Sequence, residues 1–341
     1  MANIVISTVC NASCQFCFAG DYMRVSKVQG EVFIPPTVFR ERLEFLARSG
    51  CHQVRLLGGE PTLHPYFQDL VTMSIDAGFQ IMVFSHGWIP AEALSVLLRL
   101  NPEQCTVLIN MNARIHTDAS SDDAQERRYE ILKRLGPLAQ AGFTIYQPTF
   151  SLDPLIQIVE NLGLRKAIRL GLAHPTLKRD NCYVHPKQYP HIGVKIAAFA
   201  RKATERGVNL ELDCGFVRCM FTESQFQDLS LACDSPESHC SPVLDVDVDG
   251  SVFSCFPLRS RFSNRLSLES NATMLRDEFI KQESVFRIAG IYRECSSCTY
   301  KTIGSCSGGC LAATMLRFKP ASVNLSIPNE FIEWTNIKRS M

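Results

Sequence analysis

The sequence has 341 residues, 46% of them hydrophobic, with 35 Lys and Arg against 34 Asp and Glu, for a formal net charge of +1. So balanced a charge offers no basic surface to track phosphates, which excludes nucleic acid as the expected partner. The apolar content suffices for one large core and a smaller one, which excludes disorder as the main state.

Met1 to Gly20 lacks a basic start, and Asn3, Asn11, Ser13 and Gln15 interrupt its apolar run, so it does not read as a secretion signal. No stretch approaches the ~18 apolar residues of a membrane span. A cytoplasmic chain with no membrane partner is expected. In that reducing compartment 15 cysteines point to metal binding, not to a disulfide framework.

From Ile4 to about Asp213, short β-branched runs alternate with helical patterns, the mark of repeated βα units around a parallel sheet. Strands are predicted over Ile4 to Thr8, Gln53 to Leu57, Gln80 to Phe84, Thr106 to Met111, Phe143 to Gln147, Ala167 to Gly171 and Val208 to Leu212. Between them, Ile131, Leu132, Leu135 and Leu138 form one helical stripe, and Ile192, Ile196 and Phe199 form another. The charges around the first stripe, Glu126, Arg127, Arg128, Glu130, Lys133 and Arg134, are expected on a solvated face. The fold class is α/β, a partial (β/α)6 TIM-like barrel over residues 1–213 with its chemistry at the carboxyl ends of the strands.

After Asp213 the chain turns to irregular pieces rich in Cys, Ser and Gly. This predicts a small cysteine-rich C-terminal domain over 214–318, then a tail over 319–341. Leu244, Val246 and Val248 alternate with Asp245, Asp247 and Asp249, and Asp249-Gly250 signals a two-residue hairpin loop. That loop would pair Leu244 with Cys255 and Val246 with Phe253, leaving the three aspartates on a solvated edge.

The cysteines divide the chain. Cys10, Cys14 and Cys17 sit within one loop after the first strand, and nine lie between Cys214 and Cys310. Cys51, Cys105 and Cys182 stand apart and are expected in the core, where a free thiol behaves as a small hydrophobe. Structural zinc takes four protein ligands, whereas a cubane held by three thiolates keeps one iron open for an outside ligand. Zinc remains the competing occupant of the loop.

Cys10-Asn-Ala-Ser-Cys14-Gln-Phe16-Cys17 resembles the C-x3-C-x-aromatic-C signature of the radical S-adenosylmethionine (SAM) enzymes, and Gly58-Gly59-Glu60-Pro61 after the second strand resembles their GGEP motif. The resemblance implies an open-site [4Fe-4S] cluster on Cys10, Cys14 and Cys17, with Phe16 beside it. It also implies contact of Gly58, Gly59 and Glu60 with the SAM amino group. Ser85, in Ser85-His86-Gly87, stands where relatives carry Thr-Asn-Gly. Asn110 and Asn112 end strand four, where relatives place ribose-facing residues, and Arg169 is a candidate for the SAM carboxylate. His64 is expected to pack or cap a helix start. No catalytic acid or base stands out.

Cys240-x9-Gly250-x4-Cys255, then Cys295-x2-Cys298, then Cys306-x3-Cys310 resembles the SPASM extension of that family. Seven residues, not five, separate Cys298 from Cys306, and no cysteine follows Cys310. The resemblance implies one or two auxiliary [4Fe-4S] clusters. The first would use Cys240, Cys255, Cys310 and one of Cys214, Cys219 and Cys233; the second would use Cys295, Cys298 and Cys306 with an unsettled fourth ligand. A structural zinc on Cys295, Cys298, Cys306 and Cys310 is the competing arrangement.

The expected activity is reductive cleavage of SAM to a 5′-deoxyadenosyl radical that abstracts hydrogen, for peptide or protein side-chain modification such as oxidation or cross-linking. Electrons would come from a flavodoxin- or ferredoxin-type donor. Cys10 leaves no room ahead of it for a leader-recognition domain, so a peptide substrate would need a separate peptide-recognition protein or direct capture. The alternatives are a small-molecule substrate such as a carbohydrate or aminoglycoside, and a noncatalytic iron-sulfur or zinc-binding carrier.

Overall fold

The computed structural model describes residues 2–23, 33–112, 121–177, 181–236 and 239–318, so the tail at 319–341 lies outside it. Seven parallel strands follow in sequence: β1 (Ala2–Ser7), β2 (Gln53–Gly58), β3 (Gln80–Ser85), β4 (Cys105–Asn110), β5 (Ala139–Ile145), β6 (Ala167–Leu172) and β7 (Asn209–Leu212). The crossovers are helices α1 (Pro36–Arg48), α2 (Phe67–Asp76), α3 (Ala91–Leu97), α4 (Ser121–Leu135), α5 (Asp153–Asn161) and α6 (Tyr189–Glu205). β1 is buried on both faces apart from Asn3, as a strand covered by helices on one side and barrel interior on the other must be. The expected stripes bury against this sheet: Ile131, Leu132, Leu135 and Leu138, and Ile192, Ile196 and Phe199.

β5 starts at Ala139, four residues before the expected Phe143. Its first half, Ala-Gln-Ala-Gly, lacks β-branched residues, and at Gly142 space is short: a Cβ there would lie 3.2 Å from Leu108 Cδ1.

Beyond β7 come α7 (Glu223–Ala232), the short strands β8 (Asp245–Val246), β9 (Ser251–Phe253) and β10 (Ser263–Arg265), α8 (Ala272–Arg287), α9 (Thr299–Thr302) and α10 (Leu311–Leu316). All ten strands share one sheet, in the order β10-β9-β8-β1-β2-β3-β4-β5-β6-β7. β8 lies parallel to β1, Asn3 beside Asp245 and Ile4 beside Val246. The cysteine-rich part thus joins the barrel sheet through its first strand.

The hairpin differs from expectation by one residue. Asp245 pairs with Phe253 and Val246 with Val252. Gly250 adopts φ +86°, so Val248, Asp249 and Gly250 form a three-residue loop ending in a left-handed bulge, not a two-residue turn at Asp249-Gly250. Both faces of this segment are covered: Leu244, Val246 and Val248 are buried, and so are Asp245 and Asp247, which leaves Asp249 as the aspartate that meets solvent. Asp245 accepts from Asn3 Nδ2 at 2.6 Å and from Phe256 N at 2.7 Å. Asp247 accepts from Val248 N at 2.7 Å and from the Tyr22 hydroxyl.

Candidate active site at the carboxyl ends of the strands

β1 runs directly into the loop bearing Cys10, Cys14 and Cys17, and all three thiols are partly exposed. The loop closes through Cys17 N donating to Cys14 O at 3.1 Å and Ala12 N donating to Cys10 Sγ at 3.4 Å. Burial pushes the Cys10 thiol up to about 11, and Glu60, Cys17 and Cys14 each add to the rise, which places all four side chains within electrostatic reach.

The two glycines bring Glu60 to that loop. Gly59 N donates to Ser7 O at 2.8 Å and Glu60 N to Val9 O at 2.7 Å, so the end of β2 zips onto the chain leading to Cys10. A Cβ at Gly58 would stand 1.9 Å from Ser7 O, and one at Gly59 2.0 Å from Val9 O. Here the glycines permit the approach of one strand end to another.

Glu60 is 1% exposed. Its Oε1 accepts from Thr62 Oγ1 at 2.6 Å and Thr62 N at 3.2 Å, and its Oε2 from His86 N at 2.9 Å. His86 Nδ1 accepts from Trp88 N at 3.2 Å, and Nε2 lies 2.7 Å from Asn11 Oδ1, which fixes a neutral ring protonated at Nε2. Burial lowers the His86 pKa and keeps that form, so its contact with Glu60 is not an ion pair. Ser85 Oγ accepts from Gly87 N at 3.0 Å and shapes the same turn.

Arg128 corrects the expected solvated face of α4: it is 1% exposed. The guanidinium stacks 4.4 Å from the Trp88 ring centre and donates to Met111 O at 3.3 Å and to Asn110 O. Its Nε is buried without a hydrogen-bond partner among the described residues. Burial lowers its pKa to about 10, against the pull of Tyr129, Cys14 and Glu60. The guanidinium thus brings a buried positive charge to the end of β4. It also lines a cavity of about 310 Å³ with Asn112, Thr144, Tyr146, Gln147 and Phe150. Phe16 borders that end of β5, its ring 4.9 Å from Tyr146.

Other candidates are engaged elsewhere. Arg169 meets Asp213 at 3.1 Å. Asn110 Nδ2 donates to Thr144 Oγ1 at 3.3 Å, and Asn112 Nδ2 donates to Thr144 O at 2.7 Å while its Oδ1 accepts from Thr144 N at 3.1 Å, extending β4 onto β5. His64 is buried, with Nε2 3.0 Å from Ile34 O and Nδ1 accepting from Tyr66 N, a packing and capping role as expected. Cys51 and Cys105 are core residues, but Cys182 is exposed, and its backbone N donates to Gln15 O at 3.0 Å beside the cysteine loop.

The later cysteines stand in two groups. Burial pushes the Cys255 thiol well above its ordinary value, and Cys240, Cys310 and Cys214 add to the rise. Burial likewise pushes Cys240 up to about 11, with Cys310 and Cys214 contributing. The second group surrounds Cys219, raised to about 11 by burial and by Cys306, Cys295 and Cys298. Cys233 belongs to neither; it ends α7 in the core, with Asp234 and Glu211 as its charged neighbours. Among the described residues, no three Cys, His, Asp or Glu side chains converge tightly enough to hold a single metal ion.

Three thiols and a pinned carboxylate thus meet at the carboxyl ends of the first two strands of the parallel sheet. Residues 4–162 match the family model described as Radical SAM superfamily, and the chain carries a domain of that superfamily.

Two curated relatives are named S-adenosylmethionine-dependent nucleotide dehydratase. The chain is 32% identical over 90 residues to that of Thermoplasmatales archaeon (strain ISO4-H5), covering 25% of this chain and 29% of that protein. It is 31% identical over 78 residues to that of Flammeovirga pacifica, covering 23% and 27%. The chain therefore matches less than a third of the length of these relatives.

Among solved structures, Streptococcus suis SuiB bound to S-adenosylmethionine matches with a TM-score of 0.64 at 14% identity, over 92% of this chain and 73% of that one. SuiB bound to precursor peptide SuiA gives the same TM-score and identity, over 92% and 72%. Native anSMEcpe with bound AdoMet and Kp18Cys peptide matches with a TM-score of 0.63 at 16% identity, over 98% of both chains. At these identities the likeness is one of fold. No helix among the described residues is long and apolar enough to cross a membrane.

Proposed function

We propose that the protein binds a [4Fe-4S] cluster through Cys10, Cys14 and Cys17, binds SAM beside it, and abstracts hydrogen from a peptide or protein side chain. The observation that carries this reading is the meeting of three thiols with the buried, hydrogen-bonded Glu60 at the ends of β1 and β2. When bound, the cluster supplies the electron that breaks the sulfonium C–S bond of SAM.

The chain's own residues bind and orient. Glu60, fixed by Thr62 and His86, accepts the SAM amino group, and Gly58 and Gly59 set its position. Arg128, not the Asp213-paired Arg169, neutralises the SAM carboxylate. The cavity bordered by Tyr146, Asn112 and Thr144 receives the nucleoside end of SAM, with Phe16 at its edge.

Residues 1–213 carry this site, and residues 214–318 hold two auxiliary clusters. Cys214, Cys240, Cys255 and Cys310 ligate one, and Cys219, Cys295, Cys298 and Cys306 the other. A one-electron donor of flavodoxin or ferredoxin type reduces the protein. The likeness to SuiB and anSMEcpe, which extends over the cysteine-rich part, supports the peptide substrate. The names of the curated relatives support a second reading, a nucleotide-sized small molecule.

The test is anaerobic reconstitution followed by dithionite and SAM. 5′-Deoxyadenosine above a Cys14→Ala control is expected; none would refute the reading. Deuterium transfer from labelled peptides or from nucleotides into 5′-deoxyadenosine then decides between the substrates.

A further inference from the structure

We propose that His174 is a positioning residue of the first auxiliary cluster, whose Nε2–H donates to the Cys214 thiolate and raises the cluster's reduction potential. The inference rests on the ligand set Cys214, Cys240, Cys255 and Cys310 proposed above.

His174 follows β6 at the carboxyl end of the sheet and is 8% exposed. Nε2 lies 3.1 Å from Cys214 O and 3.5 Å from Cys214 Sγ. A carbonyl oxygen only accepts, so Nε2 carries the proton, and that N–H is shared between oxygen and sulfur. The Cys310 thiol flanks the same ring: burial works to raise it, yet the imidazole and two backbone amides hold it below its ordinary value. One side chain thus touches two of the four thiols in the group.

The backbone makes room for this ring. Gly215 adopts φ +101°, and a Cβ there would stand 2.2 Å from His174 Cε1. Any other residue at 215 would displace the imidazole from the sulfur. Nδ1 is buried as well, so the imidazole is shut off from solvent beside both thiols.

Hydrogen bonds to cluster sulfurs are among the main determinants of iron-sulfur potential. A donor stabilises the more negative, reduced state. Removing the imidazole is therefore expected to lower the potential of the cluster it touches and to leave the group around Cys219 unchanged.

The test is an EPR-monitored redox titration of the full chain, reconstituted anaerobically, in a background with Cys10, Cys14 and Cys17 changed to Ala so that only auxiliary signals remain. In His174→Phe one midpoint is expected to move to more negative potential while the other stays, at unchanged iron content. His174→Gln, whose amide can donate, is expected to restore most of the shift. Unchanged midpoints in His174→Phe at full iron content would overturn the proposal. Loss of iron in both His174 variants would also overturn it, since the ring would then serve assembly and not potential. Absence of any auxiliary signal in the background protein itself would instead refute the ligand set, and the inference with it.

Discussion

The main-chain N–H of His86 donates to Glu60 Oε2 at 2.9 Å, while the ring of the same residue reaches Asn11 Oδ1 between Cys10 and Cys14 at 2.7 Å. One residue at the end of β3 thereby ties the carboxylate to the cysteine loop. Replacing Glu60 by Gln turns an amide donor toward either His86 N or the Thr62 donors, leaving two donors facing each other. SAM affinity is expected to fall at least tenfold, roughly the 1.5–3 kcal/mol of a hydrogen bond to a charged group. Equilibrium dialysis checks this, with iron content unchanged. Iron loss equal to that of Cys14→Ala would show that Glu60 holds the loop and not the substrate.

Arg128 is expected to act through the planar geometry of its guanidinium as well as through its charge. Arg128→Met and Arg128→Lys should both weaken SAM binding, by on the order of tenfold to a hundredfold, because an ammonium neither stacks on Trp88 nor presents paired donors in one plane. Arg169→Met should leave SAM affinity within about twofold. The reverse ranking in a dialysis series would return the carboxylate to Arg169.

Two upstream cysteines separate the cluster models. Cys219→Ser should lower iron by roughly four atoms per chain, the content of one cubane, whereas Cys233→Ser should leave it at the parent value. Iron and sulfide assays on anaerobically reconstituted protein read the difference. Equal losses from both variants would break the proposed grouping.

Asp247 predicts a pH effect on stability. Burial raises its carboxyl above the ~3.9 of an unfolded aspartate. Between these values the folded chain binds more protons than the unfolded one, so this group's contribution to stability falls as pH rises through the window. Asp247→Asn keeps an oxygen to accept from Tyr22 and Val248 but cannot ionise. Its urea midpoint should therefore change less than the parent's between pH 4.5 and 7. Parallel pH profiles would contradict the assignment.

The sequence carried the first site well, because Cys10, Cys14, Cys17 and Glu60 lie on loops directly after predicted strands. Arg128 was hidden for a physical reason. The charge pattern of α4 does not say which side meets solvent, and only Trp88 and Gly87, from another crossover, decide it. The hairpin slipped because an Asp-Gly pair suits both a two-residue loop and the bulge of a three-residue loop. Asp245 and Asp247 lie inward for a separate reason, because the segment is covered on both faces and Val246 and Val248 are buried as well. Cys219 and Cys233 read alike in sequence, and His174 gave no signal at all, since each gains its meaning from residues far along the chain.

The side-by-side placement of β8 and β1 has a consequence for biosynthesis. During translation the opening strand emerges with one flank bare, and that flank finds its partner only when Asp245 and Val246 have been made. Until then the nascent barrel presents a hydrogen-bonding seam to any passing polypeptide. A chain stopped at residue 213 would keep that seam permanently and should be sticky, however complete its first site.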